Sequence, residues 1–341
     1  MKATSNTLER TLFSEEHAAS VFPAPLAPKF TFIDLFAGVG GFRLALQNLQ
    51  GKCVFSSEWN VAAATTYAYN FGEVPHGDIT HPETKAAIPS NFDLLTAGFP
   101  CQAFSIAGLR KGFDDTRGTL FFDIEDIARR HRPKVLFLEN VKNLVSHDKG
   151  NTFKVILHTL EKKLGYKVYY KVMNTMTYAN VPQNRERIFI VAFDPQQVPN
   201  YADFTFPEPI PLKSSIRDIL ERGEQASSLY YNSHPYYDRL REEMTRKDTI
   251  YQWRRVYVRE NKSQVCPTLT ANMGAGGHNV PLIVDDYGIR KLTPRECFRF
   301  QGYPDTYQLP SIANSKLYMQ AGNSVTVPLI QRIAKQIISV L

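Results

Sequence analysis

Four side chains in the first two-thirds of the chain suit covalent and acid–base chemistry: Cys101, Glu139, Arg185 and Arg187. Cys101 stands in Gly98-Phe99-Pro100-Cys101-Gln102-Ala103-Phe104-Ser105. A lone cysteine is usually a small buried hydrophobe. A proline–cysteine step on a loop after a β-prone segment can instead present a thiolate nucleophile. Glu139 opens Glu139-Asn140-Val141 at the end of another apolar run. It could cap the next segment, or hold a proton where exclusion of water raises a carboxyl pKa. Arg185 and Arg187 alternate in Gln183-Asn184-Arg185-Glu186-Arg187. On one continuous strand they would point the same way and could clamp a carbonyl, phosphate or carboxylate. An exposed ion-pair strip with Glu186 is the plainer reading.

These residues need a scaffold that brings strand ends to one edge. The apolar periodicity predicts strands over 30–36, 53–57, 93–97, 134–138, 167–173 and 188–193, and helices over 42–49, 61–71, 120–131 and 152–164. This alternation argues for an α/β fold with an open, mostly parallel sheet, whose ligands gather beyond the strand ends. The rhythm breaks after Phe193, and Pro195 to Pro211 has the composition of a linker. We expect an extension over 1–29, a catalytic and cofactor-binding domain over 30–199, a smaller domain with its linker over 200–313, and C-terminal helices over 314–341 that complete the catalytic domain. Residues 1–29 carry Pro23, Pro25 and Pro28 and read as a loosely packed tail.

A second set of residues could hold a cofactor. The first strand runs into Asp34-Leu35-Phe36-Ala37-Gly38-Val39-Gly40-Gly41 and then a helix. A glycine turn at a helix start presents backbone N–H groups to an anionic ligand, although it is equally a tight turn. Glu58 closes the second strand, where an acidic side chain grips ribose hydroxyls in nucleotide-binding folds. Asp78, in Gly77-Asp78-Ile79, could accept from an adenine amino group. Trp59 could cover the adenine face, although core packing is the commoner fate of tryptophan. The set suits an adenosine-bearing cofactor without choosing between NAD and S-adenosylmethionine.

Composition narrows the class. The 341 residues carry a formal net charge of +7, with 43% hydrophobic and 21% charged residues. A basic surface attracts phosphate backbones, but charge alone does not show a nucleic-acid partner. The four cysteines form no Cys-x-x-Cys pair, which gives little support to a zinc site or a disulfide framework. Without a signal peptide or membrane-spanning run, we expect a cytoplasmic protein and no metal.

In their order along the chain, Asp34 to Gly41, Glu58-Trp59, Gly77-Asp78-Ile79, Gly98 to Ser105, Glu139-Asn140-Val141, Gln183 to Arg187, Arg290 to Asp305 and Gly322-Asn323-Ser324-Val325 resemble the bacterial DNA cytosine-5 methyltransferases of type II restriction–modification systems. The resemblance runs from about Thr31 to the C-terminus and is weakest over 195–264. It implies a Rossmann-like S-adenosylmethionine-dependent methyltransferase domain with a smaller, mostly β target-recognition domain. It also implies transfer of a methyl group from S-adenosyl-L-methionine to C5 of a flipped cytosine, leaving S-adenosyl-L-homocysteine. Cys101 would add to C6, Glu139 would serve N3 and the exocyclic amine, Arg187 would hold O2, and Arg185 would brace the site and nearby phosphates. Phe36, Gly38, Gly40, Glu58, Trp59, Asp78, Ile79, Pro100, Leu120, Asn323 and Ser324 would surround the cofactor. Reaching the target atoms requires unstacking the base, and the loop Ile106 to Thr119 would then close as a lid.

The resemblance assigns double-stranded DNA as substrate, and Gln102, Ser105, Arg117, Arg254, Arg255, Thr268, Leu269 and Asn272 as its contacts. The interval 230–264 interleaves tyrosines and Trp253 with eight basic and five acidic residues, and the glycines of 274–277 would admit close backbone approach. A small β-domain with a solvated basic face is the plainer reading of that composition. Arg290 to Asp305 would be scaffold, and Cys266 and Cys297 inert. We expect a monomer whose restriction endonuclease is a functional partner. The nearest rival is the tRNA-modifying cytosine-5 branch, whose Pro-Pro-Cys-Gln differs from Phe99-Pro100-Cys101-Gln102. A catalytically silent DNA-binding regulator and a nicotinamide oxidoreductase fit the motif set less well.

Overall fold

A computed structural model describes residues 20–100, 120–254, 257–261 and 263–341. Cys101, Gln102, Ser105, Arg117, Arg255 and the expected lid lie outside these residues.

The chain divides into two compact units. The first comprises the chain up to Met173, Glu186–Pro207 and Ile330–Leu341. Its six-stranded sheet is built from β1 (Phe30–Leu35), β2 (Gly51–Ser57), β3 (Leu94–Gly98), β4 (Val135–Val141), β5 (Lys167–Asn174) and, after a short β6 (Gln183–Asn184) that belongs to the other unit, β7 (Glu186–Phe193). The order is β2-β1-β3-β4-β7-β5. β1 pairs in parallel with β2 and β3, and β3 with β4, whereas β7 runs antiparallel to β4. Strands covered on both faces are apolar throughout, and Val135 to Leu138 are fully buried. The helix Val61–Phe71 starts where Asn60 Oδ1 accepts from Ala63 N at 3.1 Å and stops at Gly72 in the left-handed region. The helix expected over 152–164 begins at Asn151 and widens into a π-helical turn over Thr159–Lys163.

The expected loose tail is corrected over residues 20–23. Phe22 N donates to Asn70 O at 2.9 Å, and Gln47 Nε2 donates to Phe22 O and Pro23 O, both at 3.1 Å. A segment with its backbone groups thus engaged is docked rather than loose.

The second unit comprises Asn174–Arg185 and Glu208–Leu329. A sheet ordered β12-β11-β8-β9 is formed by β8 (Tyr251–Arg254), β9 (Tyr257–Glu260), β11 (Leu282–Val284) and β12 (Ile289–Lys291), while β10 (Cys266–Pro267) pairs in parallel with β6. Tyr231, Leu240, Met244, Tyr251, Trp253, Leu282 and Ile289 form its core. The Arg290 guanidinium, fully buried, binds Glu296 through two hydrogen bonds of 2.9 and 2.7 Å and Asp285 at 2.7 Å. Glu296 also caps its own helix through Thr293 N. Such a saturated buried pair is scaffold, as expected for this segment.

The unit boundaries differ from the expected ones at three places, one being that residues 200–207 stay with the first unit. Residues 174–185 join the second unit because β6 pairs with β10. The helix Asn314–Asn323 also stays there, because its backbone lies directly against residues 270–274.

Candidate active site

The reactive edge is assembled from the ends of β3, β4 and β7. Gly98 is paired with Glu139 across β3 and β4, so the strand that leads to Cys101 stops beside the carboxyl group. Asn140 Nδ2 donates to Phe99 O at 2.8 Å, and Asn140 Oδ1 accepts from Val141 N at 2.8 Å. Asn140 thereby fixes the backbone that leads into Pro100. Sequence reading passed over this role; its one signal is the amide following Glu139 at a strand end.

Glu139 is 8% exposed, and Arg187 Nε lies 3.0 Å from its Oε1. The antiparallel register sets Val141 opposite Arg187 and Glu139 opposite Phe189, which brings the two side chains together. A buried carboxylate needs such a partner, because isolated charge is costly away from water. Glu186 pairs with Lys142 at 2.9 Å, not with the neighbouring arginines as the ion-pair-strip reading would have it.

Arg185 and Arg187 do not share a strand face. The strand is interrupted at Arg185, between β6 and β7, so the alternation that predicted a joint clamp does not apply. The Arg185 side chain is 2% exposed. Its Nη1 donates to Leu269 O at 2.8 Å, and its Nη2 donates to Gly322 O at 3.2 Å and Ser324 O at 2.6 Å. The expected bracing fits this geometry; the expected phosphate contact does not, because the guanidinium is turned inward onto carbonyls.

The glycine turn is a built feature of the first unit. Phe36, Gly38 and Gly40 all take left-handed backbone angles, with φ of 55°, 55° and 77°. A bulky aromatic in that region signals a constrained site. Glu58 holds the turn: Oε2 accepts from Gly38 N at 2.8 Å and Oε1 from Asn60 N at 2.7 Å. Burial raises the Glu58 pKa, opposed by these backbone N–H groups. Each oxygen has a second acceptor direction suited to a ribose hydroxyl. Trp59 is 71% exposed, which corrects the core-packing alternative and leaves its indole on the surface. Asp78 Oδ1 accepts from Thr80 N and Thr80 Oγ1, both at 2.9 Å, while Ile79 is buried. Pro100 is exposed and Leu120 begins the helix Leu120–His131. In the second unit Asn323 is exposed, and Ser324 Oγ meets Tyr303 Oη at 2.8 Å and donates to Val325 O at 3.0 Å.

The expected DNA contacts divide. Arg254 and Asn272 are exposed. Thr268 is partly exposed, with its hydroxyl donating to Asn184 O at 2.6 Å. Leu269 is fully buried, so it cannot offer its side chain to a base; its apolar side chain anchors the segment instead. The thiols of Cys266 and Cys297 are fully buried and burial pushes both pKa values up, which fits inert residues.

The family model for C-5 cytosine-specific DNA methylase matches residues 30–339. The chain belongs to this family. It is similar to the type II methyltransferase M.Bsp6I of Bacillus sp. (strain RFL6), with 51% identity over 89% of this chain and 96% of that protein. The type II methyltransferase M.HpaII of Haemophilus parainfluenzae is 47% identical over 93% of this chain and 91% of its own length. The S. pombe Dnmt2 methyltransferase structure aligns over 91% of this chain and 98% of that one, with a TM-score of 0.68 and 18% identity, a likeness of fold. This C-5 cytosine-specific DNA methylase is therefore an enzyme of DNA methylation. No helix among its described residues is long and apolar enough to cross a membrane.

Proposed function

We propose that the protein methylates C5 of a flipped cytosine within a specific duplex sequence, through a transient bond to Cys101, and protects DNA from a cognate restriction endonuclease. The observation that carries the reading is the β3–β4 register, which stops the strand leading to Cys101 beside the Glu139–Arg187 pair. The glycine turn held by Glu58, with the exposed Trp59 next to it, suits an adenosine group. Phe36, Gly38, Gly40, Glu58, Trp59, Asp78, Ile79, Pro100 and Leu120 would hold S-adenosylmethionine, and the family resemblance adds Asn323 and Ser324. When bound, it supplies an electrophilic methyl group.

Cytosine C5 is a weak nucleophile. Addition of the Cys101 thiolate to C6 forms a C–S bond and places electron density on C5, and Glu139 holds the compensating proton at N3. Arg187 holds O2 and keeps Glu139 oriented. After methylation, loss of the C5 proton sends electrons back into the ring and expels Cys101.

The test is transfer of tritium from labelled S-adenosylmethionine to unmethylated duplex DNA and, separately, to transfer RNA. Label in 5-methyldeoxycytidine from DNA is expected, and mapping the modified sites gives the target. Label in the RNA alone would overturn the reading. Cys101→Ala is expected to abolish transfer with cofactor binding retained. Glu139→Gln is expected to lower turnover about 10²-fold or more, the range of proton-transfer catalysis, with a far smaller change in DNA affinity. Equal losses in both would remove its proton role.

A further inference from the structure

We propose that the lysine face formed by the helix Asn151–His158, its π-helical turn and the start of β5 is a second DNA-binding surface. It holds a duplex segment other than the one that carries the target cytosine. The family supplies DNA as the partner, and the place of the target base beside Glu139 rests on the function proposed above.

From Asn151 to Lys171 the chain carries five lysines, no arginine and one acid, Glu161, a net excess of four positive charges out of the formal +7. Phe153, Val155, Ile156 and Leu160 pack into the core of the first unit, while Lys154, His158, Lys162 and Lys163 are exposed. β5 is an edge strand that begins at the exposed Lys167. Lys162 and Lys167 line one open groove of about 440 Å³, together with Tyr169 and Tyr201. Neighbouring cations are neutralised. Arg132, which donates to Leu164 O at 2.5 Å, pairs with Asp194 at 2.8 Å, and Lys134 pairs with Asp93 at 2.8 Å. Among the described residues no carboxylate pairs with Lys154, Lys162 or Lys167. Unpaired charge of one sign on one face points to a polyanion. Lysine is depleted from protein–protein interfaces, which argues against a protein partner. An ammonium is a point charge without the planar fork that reads guanine. Five lysines and no arginine therefore suit phosphate contacts that ignore sequence.

The groove lies away from the reactive edge of the same unit. Tyr166 Oη donates to Pro133 O at 2.7 Å, and the Tyr169 ring meets that of Phe193, which is paired with Val135. The groove is thus at the start of β4. Glu139 lies on the same strand about 13 Å further along, at 3.3 Å per residue. A base that reaches Glu139 enters from the other end of β4, so phosphates on the lysines belong to another stretch of duplex. Holding a second stretch lets the enzyme pass between segments of long DNA while it searches for its target.

The experiment saturates the full chain with unlabelled target duplex and S-adenosylhomocysteine, then follows the anisotropy of a labelled duplex without the target from about 50 to 200 mM salt. The second duplex is expected to bind, with a log–log salt slope of about −3. Lys154→Gln, Lys162→Gln and Lys167→Gln together are expected to weaken that binding about tenfold or more at the low-salt end and to remove about one unit of slope per lysine. A saturated wild type that takes no second duplex, or a triple variant with the wild-type slope, overturns the proposal. Should the triple variant not fold, the three single variants decide, each expected to lose about one unit. Methylation of a short target duplex is expected to be unchanged by the three substitutions, while kcat/KM on kilobase DNA falls several-fold. A wild type that methylates no duplex refutes the active-site reading, and the slopes of wild type and variant on any duplex then still test the lysine face.

Discussion

Asp34 is an acid in the core of the first unit. It is fully buried at the end of β1, and its Oδ2 has no hydrogen-bond partner among the described residues. Thr96 Oγ1 lies 3.0 Å from both Ile33 O and Asp34 Oδ1. One hydroxyl proton serves only one acceptor fully. A protonated Asp34 resolves this, donating to the hydroxyl and leaving the Thr96 proton for Ile33. Burial pushes the Asp34 pKa up to about 7, opposed by Thr96 and by the charge of Arg43. Since the folded value lies above the unfolded one, the folded state binds the extra proton between pH 4 and 7. The contribution to stability is fully present below pH 4 and is lost as pH rises through 7. Unfolding free energies of wild type and Asp34→Asn across this window are expected to diverge, the wild type losing up to about 1.4 kcal/mol more per pH unit. Parallel profiles would show that Asp34 does not titrate there.

At the scale of elements, the turn after β1 depends on one glycine more than on its neighbours. Gly40 combines φ of 77° with a Phe71 ring that a Cβ would approach to 2.3 Å. Gly40→Ala must strain the backbone and displace that ring, and is expected to cost about 2–4 kcal/mol. The expected sign is a lower urea midpoint at unchanged slope, with weaker S-adenosylhomocysteine binding; an unchanged midpoint would mean that the turn can reshape freely. Local signals made such elements legible in the sequence. Apolar periodicity and strand-end placement foresaw the succession of β1 to β4 along the chain and put Glu58 and Glu139 at strand ends, because those depend on neighbours within a few residues. The break at Arg185 was hidden, since it arises where Gln183 and Asn184 pair with Cys266 and Pro267 more than eighty residues away. The burial of Leu269 was hidden likewise, because Gln183 and Arg185 hold its backbone from that distance. Side-chain type says what a residue can do; long-range pairing decides which way it faces.

At the scale of the molecule, two kinds of binding should respond differently to salt. The chain carries a formal net charge of +7, and much of its basic charge is already paired. Arg246 contacts Asp248 and Glu260, Lys247 contacts Asp286, and Arg299 contacts Asp305. Exposed pairs of this kind contribute little to stability, and they lower the charge available to phosphates. The count of 40 basic residues therefore overstates the number of DNA contacts, and the salt slope measures the true number. With about six phosphates neutralised, DNA affinity is expected to fall about 10³-fold between 50 and 200 mM salt. Binding of S-adenosylhomocysteine neutralises no phosphate chain and is expected to change less than about twofold over the same range. Fluorescence anisotropy of a labelled duplex and calorimetry of the small ligand, run in the same buffers, separate the two. A flat DNA slope would assign recognition to uncharged contacts by exposed groups such as Asn272 rather than to the basic surface. Adding Arg254→Ala to the series then tests one candidate contact: a loss of about one unit of slope places that guanidinium on a phosphate, and an unchanged slope removes it from the backbone interface.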